Sequence, residues 1–489
     1  MKKQTTNRKV SLAQIFGYAL GEGAVSITMN GIANFAMLYY TQVLGLSAAY
    51  AGLALSVTTL WDAVTDPVMG HVTDNTRSRF GRRQPYLLWG GVALAVSFFL
   101  LWALPEKFST AAAIFWCVLL INLVVRTAVT VFVVPYTALG FEICPDYENR
   151  SRLQGVRYFI NQVTNLVFGA FAWSLFFRDR VAADGSRIDG TLIQSNYLTM
   201  GAVLAVVTMI MILFSIAATR RYAVDNRGVH MEGNSLRAFL TDISSIFKDR
   251  LAWYVFGFFG VAQLAMLLTS QIQMFTYVDY MHFTAAEKTG VHGTGMVAFA
   301  LASLSLNRLV RRFDKKPAGY FGMALSMIGG LALFVLFTGG VVEPGQTVAV
   351  AGGVLPLAAI LFGLFQGMWW GGCGILVPLA LSMIADISEI NQVRTGVLKD
   401  GSYSAVFSFF MKASASLGLL ITGWLVTGAG IVAGAEAQAA EATGRIAAMT
   451  FLVGPIIIVV SFLILKNYPI DRAYMERLRG DALGVIKSG

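Results

Sequence analysis

The chain reads as an all-α membrane protein of twelve transmembrane helices in two six-helix halves, and three observations predict this. Hydrophobic residues make up 56% of the 489 positions and charged residues 13%, where a soluble domain carries about 25% charged residues. Apolar runs long enough to cross roughly 30 Å of hydrocarbon at about 1.5 Å per residue recur along the whole length. A basic cluster ending in proline appears twice, as Arg79-Phe80-Gly81-Arg82-Arg83-Gln84-Pro85 and Arg312-Phe313-Asp314-Lys315-Lys316-Pro317. Repetition at corresponding places marks two parallel halves.

In chain order the spans are expected at 12–42, 49–72, 86–104, 111–141, 156–177, 196–219, 251–280, 290–310, 318–338, 348–384, 402–431 and 446–466. The first follows Lys2, Lys3, Arg8 and Lys9 but is too long for a signal-peptide core and lacks a cleavage site, so it counts as a span. The second and eighth each run into one of the two basic clusters. Between the sixth and seventh lies the longest polar connection, with Arg220, Arg221, Asp225, Arg227, His230 and Arg237. The domains expected are therefore 1–219, a six-helix half; 220–250, a cytoplasmic central loop; and 251–489, the second six-helix half.

Numbering from a cytoplasmic N-terminus places most of the 37 Lys and Arg on the cytoplasmic side. Lys107, Arg178, Arg180, Arg187, Lys288 and Arg445 are left outside. The positive-inside rule then predicts a multi-pass protein of the inner (plasma) membrane with both termini cytoplasmic. Topology and contact with anionic membrane lipid account for the net charge of +10, so no nucleic-acid partner is expected. Cys117, Cys144 and Cys373 show no paired spacing, and His71, His230, His282 and His292 are scattered. With no HExxH, GxSxG or phosphate-cradling loop, neither an enzyme nor a cofactor is expected.

Ionisable residues inside spans carry most of the functional information, because each costs about 2.5 to 3.5 kcal/mol at a helix centre. Glu22, Asp62, Asp66, Arg126 and Lys412 are such residues; unpaired they would cost on the order of 15 kcal/mol, so mutual pairing or an aqueous cavity is implied. Asp62 and Asp66 stand at i and i+4 and project from one helix face. Like charges so placed stay together when a cation or a proton sits between them, the behaviour of a switchable cation site. The competing reading is a pair that bridges to arginines and only stabilises packing. Lys412, at a depth expected to match Asp62, either neutralises the carboxylates when no cation is bound or snorkels along its helix. Arg126, placed by counting one to two turns further out than Asp62, either clamps a substrate in bidentate fashion or pairs with Glu22. Glu22 is divided in the same way between substrate and structure. Tyr18, Tyr39, Tyr40, Tyr136, Trp369 and Trp370 offer faces for a sugar ring, although packing is the commoner role of such residues. Gly363, Gly367, Gly371, Gly372 and Gly374 in the tenth span suit close helix approach.

The run Asp62-Ala63-Val64-Thr65-Asp66-Pro67-Val68-Met69-Gly70, followed by Asp74-Asn75-Thr76-Arg77-Ser78-Arg79-Phe80-Gly81-Arg82-Arg83-Gln84-Pro85, closely resembles the glycoside-pentoside-hexuronide:cation symporter family of the major facilitator superfamily. The likeness continues through Pro135-Tyr136, the 150–157 loop, Ala385-Asp386-Ile387 and Lys412. The resemblance implies an alternating-access symporter with Asp62 and Asp66 at the coupling cation, Lys412 beside them and Arg157 near the sugar. The chain departs from the family at Val133, where members carry an acid, and at Thr137, where a tryptophan is expected. The first-helix acid aligns with Gly23 beside Glu22. A substrate different from the familiar galactosides follows.

The function expected is a cation-coupled symporter, acting as a monomer, that imports a sugar or glycoside. The cation is expected at Asp62, Asp66 and Thr65 with Lys412 as coupling residue, and the substrate at Glu22, Arg126, Tyr136, Thr137 and Arg157. Val133 leaves few oxygens for sodium and points to H+ as the coupling ion, with Na+ or Li+ at Asp62 and Asp66 as the alternative. A lysophospholipid-type carrier of the same fold and a non-transporting membrane receptor are the rival readings.

Overall fold

The computed structural model describes residues 11–105, 110–143, 147–181, 185, 187–220, 246–350, 353–395, 400–435 and 437–478. Most of the 220–250 connection, with His230, and Cys144 and Lys107 lie outside the described residues. Among those described, long α-helices run in the order α1 Leu12–Leu38, α2 Ala48–Asn75, α3 Gln84–Trp102, α4 Ala111–Ile143, α5 Tyr147–Phe176, α6 Gln194–Thr219, α7 Arg250–Phe275, α8 Ala285–Phe313, α9 Lys315–Leu333, α10 Leu357–Thr395, α11 Asp400–Ala429 and α12 Ala440–Lys466. They match the twelve expected spans in number and order. Nine helices among the described residues are long and apolar enough to cross a bilayer by length and composition alone. The remaining three are α1, α2 and α5, whose hydropathy is lowered by the polar side chains of the site described below.

Two boundaries need correction. The 150–157 segment is helical rather than a loop, because α5 starts at Tyr147, nine residues before the expected span; its first turns are charged and carry no hydropathy signal. The tenth span begins at Leu357 rather than 348, and its helix continues to Thr395. Residues 348–355 instead form a small antiparallel hairpin, β3 Val348–Val350 with β4 Gly353–Leu355, in which Val348 pairs with Leu355. A short apolar β-branched run adjoining a helix cannot be separated from it by hydropathy. A second hairpin, β1 Arg180–Val181 with β2 Arg187–Ile188, lies between α5 and α6.

The internal repeat extends to backbone detail. The guanidinium of Arg79 lies 4.5 Å from the centroid of the Phe80 ring and that of Arg312 lies 5.2 Å from Phe313. The next residue in each case has positive φ, 81° at Gly81 and 75° at Asp314. Asp314 offsets that strain by accepting from the Lys315 amide at 2.6 Å and the Arg472 amide at 2.9 Å. Likewise α1 and α7 both end in a π-helical turn, Tyr39–Val43 and Thr276–Tyr280. In the first, Leu44 and Leu46 donate to the carbonyls of Tyr39 and Tyr40; in the second, Met281 and Phe283 donate to those of Thr276 and Tyr277.

By packing, the chain forms two compact units. The first comprises residues 1–36, 61–169 and 193–233, and the second 37–60, 170–192 and 234–489. Within the first unit α3 packs along α4 and α6. Gly21 and Gly140 let Tyr18 and Tyr136 lie between helices, since a Cβ on either would meet a tyrosine atom within 2.5 Å. Within the second unit α10 packs along α8 and α9, and α7 along α11 and α12. Of the five α10 glycines expected to allow close helix approach, two do so at backbone: a Cβ on Gly374 would lie 2.3 Å from the Phe299 carbonyl, and one on Gly372 2.2 Å from that of Gly322, whereas one on Gly363, Gly367 or Gly371 would meet nothing nearer than 3.3 Å. Pro378 cannot donate to the Gly374 carbonyl, and Ser303 supplies that bond instead at 2.7 Å.

Candidate functional site

In the first unit, α2 and α4 place charged residues of both signs side by side. Arg126 Nη1 donates to Asp62 Oδ2 at 2.8 Å, with the two side chains 15% and 8% exposed. Arg126 therefore stands level with Asp62, not one to two turns beyond it, and it does not pair with Glu22. Asp62 is 14 positions into α2 and Arg126 is 15 into α4, so counted from the first residue of each helix the two stand at nearly the same depth. The same Nη1 lies 3.7 Å from the sulfur of Met29 on α1. One turn along α2, Asp66 accepts from the Thr130 hydroxyl at 2.8 Å. Thr65 donates to its own helix at the Trp61 carbonyl, 3.0 Å away, and approaches the Thr130 hydroxyl at 3.4 Å.

Glu22 finds a different partner. Arg157 on α5 donates to Glu22 Oε2 from Nε at 3.0 Å and from Nη2 at 2.5 Å, and its Nη1 donates to Gln154 at 3.2 Å. Its guanidinium lies 5.1 Å from the Tyr136 ring centroid. Tyr136 is fully buried and stacks on Tyr18 with centroids 4.5 Å apart, and each tyrosine hydroxyl donates to the other's carbonyl at 2.8 and 3.0 Å. Beyond Glu22 the polar contacts continue in steps of four residues, the spacing that keeps side chains on one helix face. Asn161 donates to Glu22 Oε1 at 3.4 Å and its own Oδ1 accepts from Asn165 at 3.0 Å. Asn165 Oδ1 accepts from Ser26 and from Asn30, the latter at 2.5 Å. Glu22, Ser26 and Asn30 on α1 thus face Arg157, Asn161 and Asn165 on α5. Of these, only Glu22 and Arg157 stand out in the sequence; the signal for the others is three polar residues at i, i+4 and i+8 within each of two membrane helices.

Thr137 is half-buried on α4. Lys412 is half-buried on α11, in the second compact unit. Tyr18, Tyr39, Tyr40 and Trp369 are fully or almost fully buried, which makes them packing residues.

The family model for MFS/sugar transport proteins matches residues 17–472. The chain belongs to this family. It is similar to the putative glycoside/cation symporter YagG of Escherichia coli (strain K12), 24% identical over 96% of this chain and 94% of the relative. It is also similar to the isoprimeverose transporter of Lactiplantibacillus pentosus, 26% identical over 95% of this chain and 90% of the relative. A sodium-dependent lysophosphatidylcholine symporter of Gallus gallus is 29% identical, but over only 34% of this chain and 31% of the relative. The solved nucleoside transporter NupG shares the fold at a TM-score of 0.57 and 11% identity, covering 94% of this chain and 100% of that one.

As an MFS/sugar transport protein, the molecule is a non-enzymatic multi-pass membrane transporter. Its second unit shows how residues 37–60 and 170–192 are held on the second set of six helices. Lys288, 1% exposed, pairs with Asp189 at 2.5 Å. Asp189 also accepts from the amide and hydroxyl of Thr191 at 2.9 and 2.7 Å. Burial alone would raise the Asp189 carboxyl, but the Lys288 ammonium and Thr191 hold it below the ordinary carboxylate range. Gln42 donates to Asp279 at 3.2 Å, so the fourth residues of the two repeated π-helical turns meet. α2 crosses α11 at Gly52 and Gly423, where a Cβ would lie 2.5 Å from the Leu419 carbonyl and 2.4 Å from that of Ala48. Ser56 and Ser416 hydrogen-bond beside this crossing at 2.8 Å. On α5, Ser174 bonds Thr289 of α8 at 2.6 Å. Three cations that the positive-inside count leaves outside are accounted for here: Lys288 pairs with Asp189, Arg187 with Asp179 and Arg445 with Glu441.

Proposed function

We propose that this transporter imports a sugar or glycoside together with a cation by alternating access, with both termini cytoplasmic. The observation that carries the reading is the α1–α5 polar ladder. Glu22, Arg157, Asn161 and Asn165 present fixed donors and acceptors at membrane depth, the groups that a polyhydroxylated ring needs in place of water. In this reading the Arg157–Glu22 pair engages sugar hydroxyls directly. Tyr18 and Tyr136 act from behind by fixing the guanidinium, and Thr137, next along α4, completes the assigned substrate set. An acyl chain offers no partners for this ladder, and that favours sugar over the lysophospholipid-type reading.

The coupling cation is assigned to the Asp62, Asp66 and Thr65 region, with Thr130 added as a fourth oxygen donor, and Lys412 serves as the coupling residue. The coupling ion is H+, with Na+ or Li+ as the competing assignment. Uptake of a labelled glycoside panel into membrane vesicles tests both points. Accumulation should follow an imposed inward proton gradient in sodium-free buffer and collapse with a protonophore. A strict sodium requirement at every pH would overturn the ion, and the absence of accumulation for every glycoside, with a lysophospholipid taken up instead, would overturn the substrate class.

A further inference from the structure

The α2–α4 cluster contains a cation of its own. Arg126 is held by Asp62 at 2.8 Å and by the Met29 thioether at 3.7 Å, and its Nε is buried without a hydrogen-bond partner. Its position is therefore set by the Asp62 carboxylate rather than by a surrounding cage of acceptors. A guanidinium stays charged at any physiological pH and cannot leave by losing a proton. Around it the oxygens of Asp62, Asp66, Thr65 and Thr130 gather within one turn of α2 and the facing turn of α4. Carboxylate and hydroxyl oxygens are the ligands a hard cation takes. Two carboxylates without Arg126 would attract an alkali ion; with Arg126 on one of them, an entering ion meets a like charge and an Asp62 oxygen already engaged.

We propose that Arg126 is a tethered cation that occupies the charge position at Asp62, so that it excludes alkali ions from this site and sets the ion selectivity of the transporter. The inference rests on the assignment of Asp62 and Asp66 to the coupling site, and it identifies Arg126 as an ion-selecting residue rather than a substrate clamp. Arg126→Ala should convert the cluster into a sodium site, and Arg126→Lys, which keeps a positive charge, should not.

The test is thermal unfolding of the purified full-length chain titrated with NaCl or LiCl against choline chloride at constant ionic strength, because a ligand that binds only the folded state raises its midpoint. Wild type and Arg126→Lys should give no sodium-specific shift. Arg126→Ala should give a saturable rise, lost again in Arg126→Ala/Asp62→Asn. A saturable sodium shift in wild type overturns the proposal, as does a shift in the alanine variant that survives Asp62→Asn. If Arg126→Ala does not survive purification, Arg126→Gln, which keeps a polar amide without the charge, is titrated instead with Trp61 fluorescence as readout, Trp61 being bonded to Thr127 at 3.0 Å. Absence of any sodium response in the folded variants overturns the proposal. No sugar enters these titrations, so failure of the sugar assignment and failure of the ion-site assignment give separate signatures.

Discussion

Asp62 and Asp66 lie one turn apart on the same face of α2, yet Asp62 pairs with the Arg126 guanidinium and Asp66 with the Thr130 hydroxyl. The two carboxylates are therefore not equivalent. Asp66→Asn keeps an acceptor for Thr130, and its stability should stay within about 1 kcal/mol of wild type while uphill accumulation is lost. Asp62→Asn leaves a half-buried guanidinium without its counter-charge and should cost about 3 kcal/mol in addition to activity. Thermal unfolding alongside accumulation assays separates the two. Equal midpoints for both variants would contradict the assignment of partners.

Arg157 makes forked contact with Glu22 while lying over the Tyr136 ring. A lysine cannot reproduce the fork or the stacking, so Arg157→Lys should raise the half-saturation concentration for substrate roughly 10- to 100-fold, the loss of about 1.5 to 3 kcal/mol from a charge-assisted bond. Insertion and abundance in the membrane should be unchanged. Initial-rate uptake kinetics check this, and an unaltered half-saturation value would make the pair structural.

Asp189 and Lys288 tie the α5–α6 connection to α8 within the second unit. Because the Asp189 carboxyl is depressed in the folded state, with Lys288 and Thr191 outweighing the opposing effect of burial, its contribution is fully present above the unfolded carboxylate pKa of about 3.9 and is lost as pH falls through the depressed folded value. Asp189→Asn should therefore lower the unfolding midpoint at pH 7, and the gap to wild type should narrow below about pH 4. A gap that is the same at pH 7 and pH 3.5 would show that the carboxylate charge is not what Lys288 requires.

Gly423 permits the α2–α11 crossing, whereas Gly428 on the same helix has nothing within 4 Å of a built Cβ. Gly423→Ala must separate two backbones and should destabilise by about 1 to 3 kcal/mol. Gly428→Ala should be neutral or slightly stabilising, because alanine is the better helix former by about 1 kcal/mol. The two midpoints, measured side by side, decide whether close approach at Gly423 matters.

The fold was legible in the sequence because hydropathy and basic-residue placement report the bilayer directly, and both are local properties of the chain. The Arg-Phe clusters repeat in the sequence, and the structure carries that repeat down to a positive φ at Gly81 and Asp314. Hydropathy failed at 348–355, where a β-hairpin and a helix start are equally apolar, and at Tyr147, where a helix leaves the apolar zone while still helical. Charged residues stand out in the sequence at membrane depth, whereas the neutral Asn161, Asn165, Asn30 and Ser26 carry little hydropathy penalty and leave no comparable signal.

By itself the sequence determined that the chain spans a membrane repeatedly, that a basic cluster recurs along it and that Glu22, Asp62, Asp66, Arg126 and Lys412 need mutual pairing or an aqueous cavity, since their burial cost is too large to stand uncompensated. Only the tertiary structure decided the pairs: Arg126 with Asp62, Arg157 with Glu22, and Lys288 with Asp189 across 99 residues of sequence. The physical reason is that a buried charge needs some opposite charge within a few ångströms, a demand visible in composition. Which charge answers depends on the rotation and register of packed helices, and no single helix encodes those.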